Sequence, residues 1–230
     1  MNLLSVSNAI ALVRKNLEEL DPNGSIMYFD ENGSSADYGD NKSLDSIIRR
    51  SLPDAINAVN KVAPVGLLEG NTSLSPTNVS ISLDGVLTFK LPANNCYLRL
   101  VAFQADDSLI VVTDTLPEAS PEARKQLNRY IRGRADRPRL VLVHDTEGTP
   151  TFKYYSISNP SGYSGNPAGA IKQFSFVPEV FYVSDSTSNY PCAPRLRQNV
   201  VDYLTALVLE TFNDQRSQTF YQKASSFPAV

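Results

Sequence analysis

Seven basic side chains are concentrated in residues 121–139, and guanidinium and ammonium groups are the side chains that bind carboxylates and phosphates. They are Arg124, Lys125, Arg129, Arg132, Arg134, Arg137 and Arg139. Two acidic residues reduce the segment to +5, so the rest of the chain sums to −8, given a net charge of −3. A basic segment on an acidic chain favours a localised anionic partner, either an acidic protein surface or a nucleic-acid backbone. The alternative is an ordinary solvated helix surface.

Residues suited to catalysis are few. His144 is the only histidine, and it follows three apolar residues, which is typical of a strand end rather than of a general base. The segment Gly162-Tyr163-Ser164-Gly165 is one residue short of a nucleophile elbow, and no phosphate-binding glycine loop is present. A hydrolase would need Ser164, His144 and an aspartate within hydrogen-bond reach. We therefore predict that the chain is not an enzyme.

The sequence also predicts no metal and no cofactor. It contains two cysteines, Cys96 and Cys192, which is too few for a disulfide framework or a zinc site. The acidic stretch that begins at Asp30 superficially resembles a calcium loop. Ser35 stands where such a loop needs glycine, and Asn41 stands where it needs glutamate. A solvated loop over residues 30–42 is the simpler interpretation.

A short helix is expected to carry the basic residues. Ser120 is suited to cap its first amides, Pro121 to the first helical position, and Gly133 to a left-handed stop. At about 100° per residue, one face collects four apolar residues: Ala123, Leu127, Tyr130 and Ile131. We expect a helix over residues 121–132 that buries this face and presents its cations on the other.

Helical periodicity marks both ends of the chain, and strand patterns fill the middle. Helices are predicted over residues 5–20, over 43–62 with a kink at Pro53, and from 194 to about 225. A hairpin over 79–91 precedes further strands at 97–103, 108–113, 139–144, 151–157, 174–177 and 180–183. The predicted fold is α+β: a helical bundle from both chain ends with an inserted antiparallel β-rich lobe containing one short helix.

This fold predicts three parts. Residues 1–68 form a helical part, residues 69–193 the β-rich insertion with helix 121–132, and residues 194–230 a long C-terminal helix packing with the first part. That last helix is apolar over far more than the roughly 100° arc of a surface helix. It is therefore either central to its own bundle or packed between subunits. The residues expected at such a subunit interface are Val201, Val208, Leu209 and Phe212.

Four short motifs point to a family. They are Leu52-Pro53-Asp54-Ala55-Ile56, Leu91-Pro92 before 97–103, Gln126–Gly133 with Arg137-Pro138, and Val201-x-Tyr203-Leu204-x-Ala206. Their order resembles that of the ring-shaped head–tail connector proteins of tailed bacteriophages. It is most similar to the ring proteins of crAss-like phages and, more loosely, to adaptors of short-tailed phages. The resemblance covers roughly residues 43–225 as scattered motifs.

The resemblance implies a structural virion protein. Copies, twelve if they match the portal, would form a ring in the neck or tail region and extend the DNA channel. Expected partners are the portal protein, other ring or tail hub proteins and, without sequence specificity, the DNA backbone; no membrane is implied. Assembly would take place in the cytoplasm of the bacterial host. The basic residues expected to contact an acidic neighbouring subunit or lie near the channel are Arg124, Lys125, Arg129, Arg132, Arg134 and Arg137.

Two other functions stay open besides a hydrolase. One is a monomeric binding module for an anionic partner, which would use the same basic residues. The other is a tail component outside the connector.

Overall fold

A computed structural model of the chain describes residues 2–18, 39–70, 76–91, 96–134, 136–144, 149–184 and 186–228. Residues 30–38 of the predicted loop, with most of the calcium-like stretch, lie outside these ranges. Residues 39–42 are helical, so the loop predicted over residues 30–42 is wrong for them. The described helices are α1 Val6–Glu18, α2 Gly39–Val62, α3 Pro121–Gln126, α4 Arg197–Thr211 and α5 Ser217–Ala224. The strands are β1 Leu3–Ser5, β2 Thr77–Ile81, β3 Leu87–Lys90, β4 Tyr97–Ala105, β5 Thr115–Pro117, β6 Leu140–His144, β7 Pro150–Tyr154, β8 Ile171–Pro178 and β9 Asn189–Pro191.

The chain divides into two compact units. Residues Met1–Glu69 and Val180–Val230 form one, the terminal unit, and residues Gly70–Glu179 form the other, the middle unit. In the terminal unit, α2 continues as one helix through Pro53. Strand β1 pairs with β9 in a small antiparallel sheet beside the helices.

Helix α4 lies at the centre of the terminal unit, where it packs against α1, α2 and α5. Much of its wide apolar arc is covered: Val201, Val208 and Leu209 are each at most 1% exposed. Polar side chains on the same helix are also enclosed. Asn199 donates from Nδ2 to the carbonyl oxygens of Ala224 at 2.9 Å and Ser226 at 3.1 Å, near the end of α5. The wide apolar arc is therefore explained by burial within the unit.

An aromatic core joins two sheets in the middle unit. The larger sheet has the order β2-β3-β7-β6-β5, and β4 pairs with β8 in a second, two-stranded sheet. Phe89 on β3 and Phe152 on β7 have ring centroids 5.1 Å apart. Both meet Phe174 on β8, at centroid distances of 5.1 and 5.3 Å. Alternate residues of facing strands thus form the interior, as the pleat of a strand requires.

The crossover from β5 to β6 determines where the basic segment lies. These two strands are parallel neighbours, with Leu116 opposite Val141. A parallel pair cannot be closed by a tight turn and needs a crossover connection. Helix α3 and the basic residues make up this connection. Strand β5 is the last strand of its sheet, so the crossover leaves the sheet at an edge.

The predicted fold class is wrong. The described residues form a mixed α/β structure with five α-helices, a five-stranded mixed sheet and two smaller sheets, rather than a helical bundle carrying an antiparallel lobe. The parallel pairing of β5 with β6 makes the large sheet mixed. The pairing of β1 with β9 adds a sheet to the helical ends. Strands of three residues have too few positions to show alternation, which is why the pattern missed them.

Three predicted elements also differ. The C-terminal helix is interrupted between α4 and α5, where Asn213 has a φ of 55° and the Asp214 carboxylate accepts from the Arg216 amide at 2.9 Å. Asparagine tolerates this left-handed conformation, and aspartate favours such turns. Residues 108–113 form only one bridge, between Phe103 and Val112, and residues 180–183 are irregular. Short apolar runs of this kind do not identify a strand by periodicity.

Removing an aromatic ring from the core should destabilise the middle unit strongly. We expect Phe152→Ala to lower the free energy of unfolding by about 3–5 kcal/mol, because the vacated volume cannot collapse. Urea denaturation followed by circular dichroism would measure the loss. Leu83→Ala is the control, because Leu83 is 98% exposed and should change stability by no more than about 0.5 kcal/mol. Equal effects of the two substitutions would contradict the aromatic core.

Asp202 on α4 should make the terminal unit less stable as pH rises. Burial raises the pKa of this carboxyl, and the hydrogen bond from Gln198 and the charge of Lys223 oppose that rise. The folded state therefore holds the proton more tightly than the unfolded chain, so stability falls as pH increases through the interval between the two pKa values.

We expect Asp202→Asn to be more stable than the natural chain at pH 7, because its neutral amide still accepts the hydrogen bond from Gln198, which measures 3.0 Å. The difference should shrink below about pH 4, where the natural carboxyl is neutral in both states. Urea denaturation of both proteins at several pH values between 3 and 8 would measure this difference in stability. If Asp202→Asn were more stable than the natural chain by the same amount at every pH, the charge of Asp202 would not be the cause.

Candidate functional site

Helix α3 begins as its sequence indicates and ends much earlier. The Ser120 hydroxyl accepts from the Ala123 amide at 3.1 Å, and Pro121 occupies the first turn. The helix then stops at Gln126, so the predicted helix over residues 121–132 is wrong. We call the residues that follow, 127–139, the arginine-rich turn.

Gln126 ends the helix by binding backbone groups on both sides of itself. Its side chain is 6% exposed. It donates from Nε2 to the Glu122 carbonyl at 3.1 Å and accepts at Oε1 from the Gly133 amide at 2.7 Å. Asn128 adds a second local bond by accepting from the Tyr130 amide at 3.0 Å. These side chains replace the helical pattern of backbone bonds with a turn.

The early end of α3 exposes the face that was expected to be buried. Ala123 is 5% exposed, but Leu127, Tyr130 and Ile131 are 75%, 88% and 59% exposed. The signal that sequence reasoning missed is Gln126, which borders the supposed apolar face three residues after Ala123 and four before Tyr130. A polar side chain there needed buried partners, and it found them in the backbone of the turn.

Contacts with two other loops position the turn. Arg132 donates from Nη2 to the Asp84 carbonyl at 2.6 Å. The Ser156 hydroxyl donates to the Gly133 carbonyl, and Ser156 is buried. A Cβ at Gly133 would lie 2.9 Å from the Arg137 carbonyl oxygen, so only glycine fits without a shift. The Arg137 amide donates to the Arg134 carbonyl at 2.8 Å and closes the tip.

Three depressions of about 530, 450 and 320 Å³ adjoin one another along the turn. The first and second share Arg132, Gly133 and Arg134, and the second and third share Arg137 and Arg139. Asp136 lines all three. We call them together the arginine groove. Five arginines and three aspartates line it: Arg129, Arg132, Arg134, Arg137, Arg139, Asp84, Asp114 and Asp136.

The arginines of this groove form no ion pair with a carboxylate of the described residues. Ion pairs elsewhere join Arg14 to Asp45 at 2.9 Å and Arg216 to Asp214 at 2.5 Å. By contrast, no described carboxylate lies within ion-pair distance of Arg129, Arg134 or Arg137, all of which are exposed. Arg124 and Lys125 are likewise exposed on α3. Guanidinium groups in this state are suited to bind carboxylate or phosphate oxygens.

The predicted interface residues thus divide between two places. All six basic ones lie on α3 or the arginine-rich turn. Val201, Val208 and Leu209 lie in the core of the terminal unit and offer no surface to a partner. Phe212, next to the end of α4, is half-buried.

The residues considered for catalysis form no hydrogen-bonded set among the described residues. His144 at the end of β6 and Ser164 in the loop before β8 are both exposed. Within the described ranges, neither side chain hydrogen-bonds to the other or to an aspartate. The same residues contain no group of three or more His, Cys, Asp and Glu side chains that would hold a metal ion. No helix among them has the length and apolarity that a membrane span needs.

Replacing Gln126 should loosen the turn. In Gln126→Leu the Gly133 amide loses its acceptor, which should cost about 1–3 kcal/mol of unfolding free energy. Trypsin should then cut faster after the exposed arginines of the turn, and the amides of residues 127–134 should exchange faster with solvent. Gln215→Leu applies the same chemical change at an exposed site of the terminal unit. If both variants were cut at the natural rate, Gln126 would not hold the turn.

Comparison with known protein families, with curated proteins and with solved structures found no match to this chain.

Proposed function

We propose that the chain is a structural subunit of an oligomeric ring in the portal–tail connector of a tailed bacteriophage. The observation that carries this proposal is the arginine-rich turn, where three large apolar side chains are exposed beside guanidinium groups that lack carboxylate partners among the described residues. The connector itself is suggested by the order of the four sequence motifs. Its partners would be further copies, the portal protein and other ring or tail hub proteins, in a virion assembled in the bacterial cytoplasm.

The composition of the turn supports a protein partner. Tyrosine and arginine are enriched at protein interfaces, and they are the residues that most often contribute large binding energies there. An apolar patch edged by polar groups is a common mark of an interaction site. At Tyr130, 88% of the side chain is open to solvent, which a partner surface would cover. In a ring, one surface patch of each copy contacts a different patch of the next copy. A chain with a basic segment and a net negative charge elsewhere can form such a contact by charge attraction.

The support does not include the C-terminal helix. Because α1, α2 and α5 pack against α4, the wide arc of apolar residues on α4 is not evidence for contact with a neighbouring subunit. Assembly is proposed from the middle unit alone.

The groove also favours a second candidate, a monomeric module that binds an anionic partner. Depressions of 320–530 Å³ fall within the range of ligand sites. The two candidates differ in the mass of the free protein. A ring subunit forms a defined multiple of 25.3 kDa, whereas the module stays at that mass.

Native mass spectrometry and negative-stain class averages would test the ring directly. We expect hollow rings of one copy number at low salt. Because charge attraction is screened by ions, replacing Lys125, Arg129 and Arg132 with serine should weaken assembly about tenfold or more at low salt and less at high salt.

The matched control replaces one lysine and two arginines that are exposed elsewhere, Lys172, Arg50 and Arg195, with serine. It removes the same charge and should leave rings intact. A natural chain that stays monomeric at every concentration would refute the ring. If rings form equally in all three proteins at every salt concentration, the basic residues do not lie in the interface.

A further inference from the structure

We propose that residues 181–183 of one copy add a strand to the open edge of residues 111–113 in the next copy. The inference rests on the proposed ring and names two different patches that join its subunits. One patch continues the arginine groove, because residues 110–114 line its third depression. The other patch lies in the terminal unit.

Residues 108–113 follow the pattern of a strand but form a single bridge. Their sequence, Ser-Leu-Ile-Val-Val-Thr, is uncharged and rich in β-branched residues, which favour strands. Within the described chain, their pairing to β4 consists of the two backbone hydrogen bonds that Val112 and Phe103 exchange, at 2.7 and 2.8 Å. Successive residues of an antiparallel strand direct their backbone groups to opposite sides. The N–H and C=O groups of Val111 and Thr113 therefore point away from β4.

This outer edge has no partner within the described chain. The backbone groups of Val111 and Thr113 form no hydrogen bond with any described residue, and both residues are exposed. Leu109, Ile110 and Val111 are 93%, 43% and 42% exposed. The third depression, of about 320 Å³, leaves space beside the segment. An exposed apolar edge with free donors and acceptors is a template for pairing with another chain.

A second exposed apolar segment lies in the terminal unit. Its residues, 181–183, are Phe-Tyr-Val, and they are 52%, 38% and 77% exposed. They are irregular, although aromatic and β-branched residues favour strands. The preceding residue is held in place: the Val180 amide donates to the Asn57 side chain at 2.9 Å, and that side chain donates to the Val180 carbonyl at 2.7 Å. The segment is thus anchored at one end and exposed to solvent beyond it.

The two segments are chemically complementary. Neither carries a charged side chain, so their contact brings no like charges together. An extended chain supplies N–H and C=O groups at the spacing that the edge at Val111 and Thr113 requires. Aromatic side chains opposite β-branched ones are stabilising pairs in a sheet, and Phe181 can provide the first while Val111 provides the second. Pairing would also remove apolar surface of both segments from water.

The contact joins two unlike patches, which is the arrangement of a closed ring. The alternative is pairing of the edge with the same edge of a second copy about a two-fold axis. That pairing would stop at two copies and would leave residues 181–183 exposed. Pairing of residues 181–183 with residues 111–113 covers both segments. It also leaves each pair of copies with one free patch of each kind, so that further copies can add.

Lysine substitutions test the two patches separately. We expect Val111→Lys and Val183→Lys each to weaken self-association about tenfold or more in sedimentation experiments, because a strand contact would bury the added charge without a partner. At a concentration where neither variant associates alone, their equimolar mixture should form dimers and no larger species. Each mixed pair retains one intact edge and one intact segment, which is enough for a single contact.

Leu83→Lys and Val62→Lys are the matched controls, because they add the same charge at exposed apolar positions of the middle and terminal units. Both controls should associate like the natural chain. Thermal melts would show that all four variants are folded.

Hydrogen exchange reports whether the backbone of the edge is paired. In assemblies of the natural chain, the amides of Val111 and Thr113 should exchange with solvent more slowly than in Val183→Lys, whose edge is intact but lacks a partner segment. The Val112 amide is the internal control, because its bond to the Phe103 carbonyl protects it in both proteins.

The outcomes separate the inference from the ring. A natural chain that never associates ends both of them. If rings form equally in Val111→Lys, in Val183→Lys and in the controls, the inference fails and the ring stands. Loss of association in only one of the two variants, without dimers in the mixture, would mean that the two segments do not contact each other and would also overturn the inference. Loss in both variants, dimers in the mixture and slow exchange at Val111 and Thr113 support it.

Discussion

The hydrogen bond between the Gln126 side chain and the Gly133 amide is the interaction on which the candidate site depends. It turns the chain back after a helix of six residues, at a point where the sequence would otherwise favour more helix. It also brings Gly133 close to the Arg137 carbonyl and the Ser156 hydroxyl. The backbone of the turn is therefore held from within the unit, while its arginines and apolar side chains point to solvent. A charged surface with a fixed backbone loses less entropy on binding than a flexible one.

The two units bury their side chains in different ways. The terminal unit surrounds one helix with others, and the buried side chain of Asn199 on that helix donates to the Ala224 carbonyl. The middle unit stacks aromatic rings between two sheets, as Phe89 and Phe152 do. Because both interiors enclose large apolar side chains, the exposed apolar side chains of the arginine-rich turn are a feature of the surface and not an unfinished part of either core.

Periodicity in the sequence predicted many single elements but not how they pair. The long runs that became α1, α2 and β4 were identified because their apolar residues repeat over many positions. The pairing of β5 with β6 joins residues that are 25 positions apart, Leu116 and Val141, and no local pattern encodes it. At the site, the cluster of cations was evident from composition. The exposure of Leu127 was not, because it follows from one buried glutamine whose partners become visible only in three dimensions.

The crossover between β5 and β6 separates the chemistry of the surface from the stability of the fold. Both of its ends are anchored by sheet pairing, and most of its charged side chains contribute nothing to the aromatic interior. Substitutions among those charges therefore carry little folding penalty, in contrast to changes at Phe152 or Gly133. Such a segment can diverge quickly between related proteins while the scaffold stays constant, which would let one architecture acquire new binding preferences through a few surface replacements.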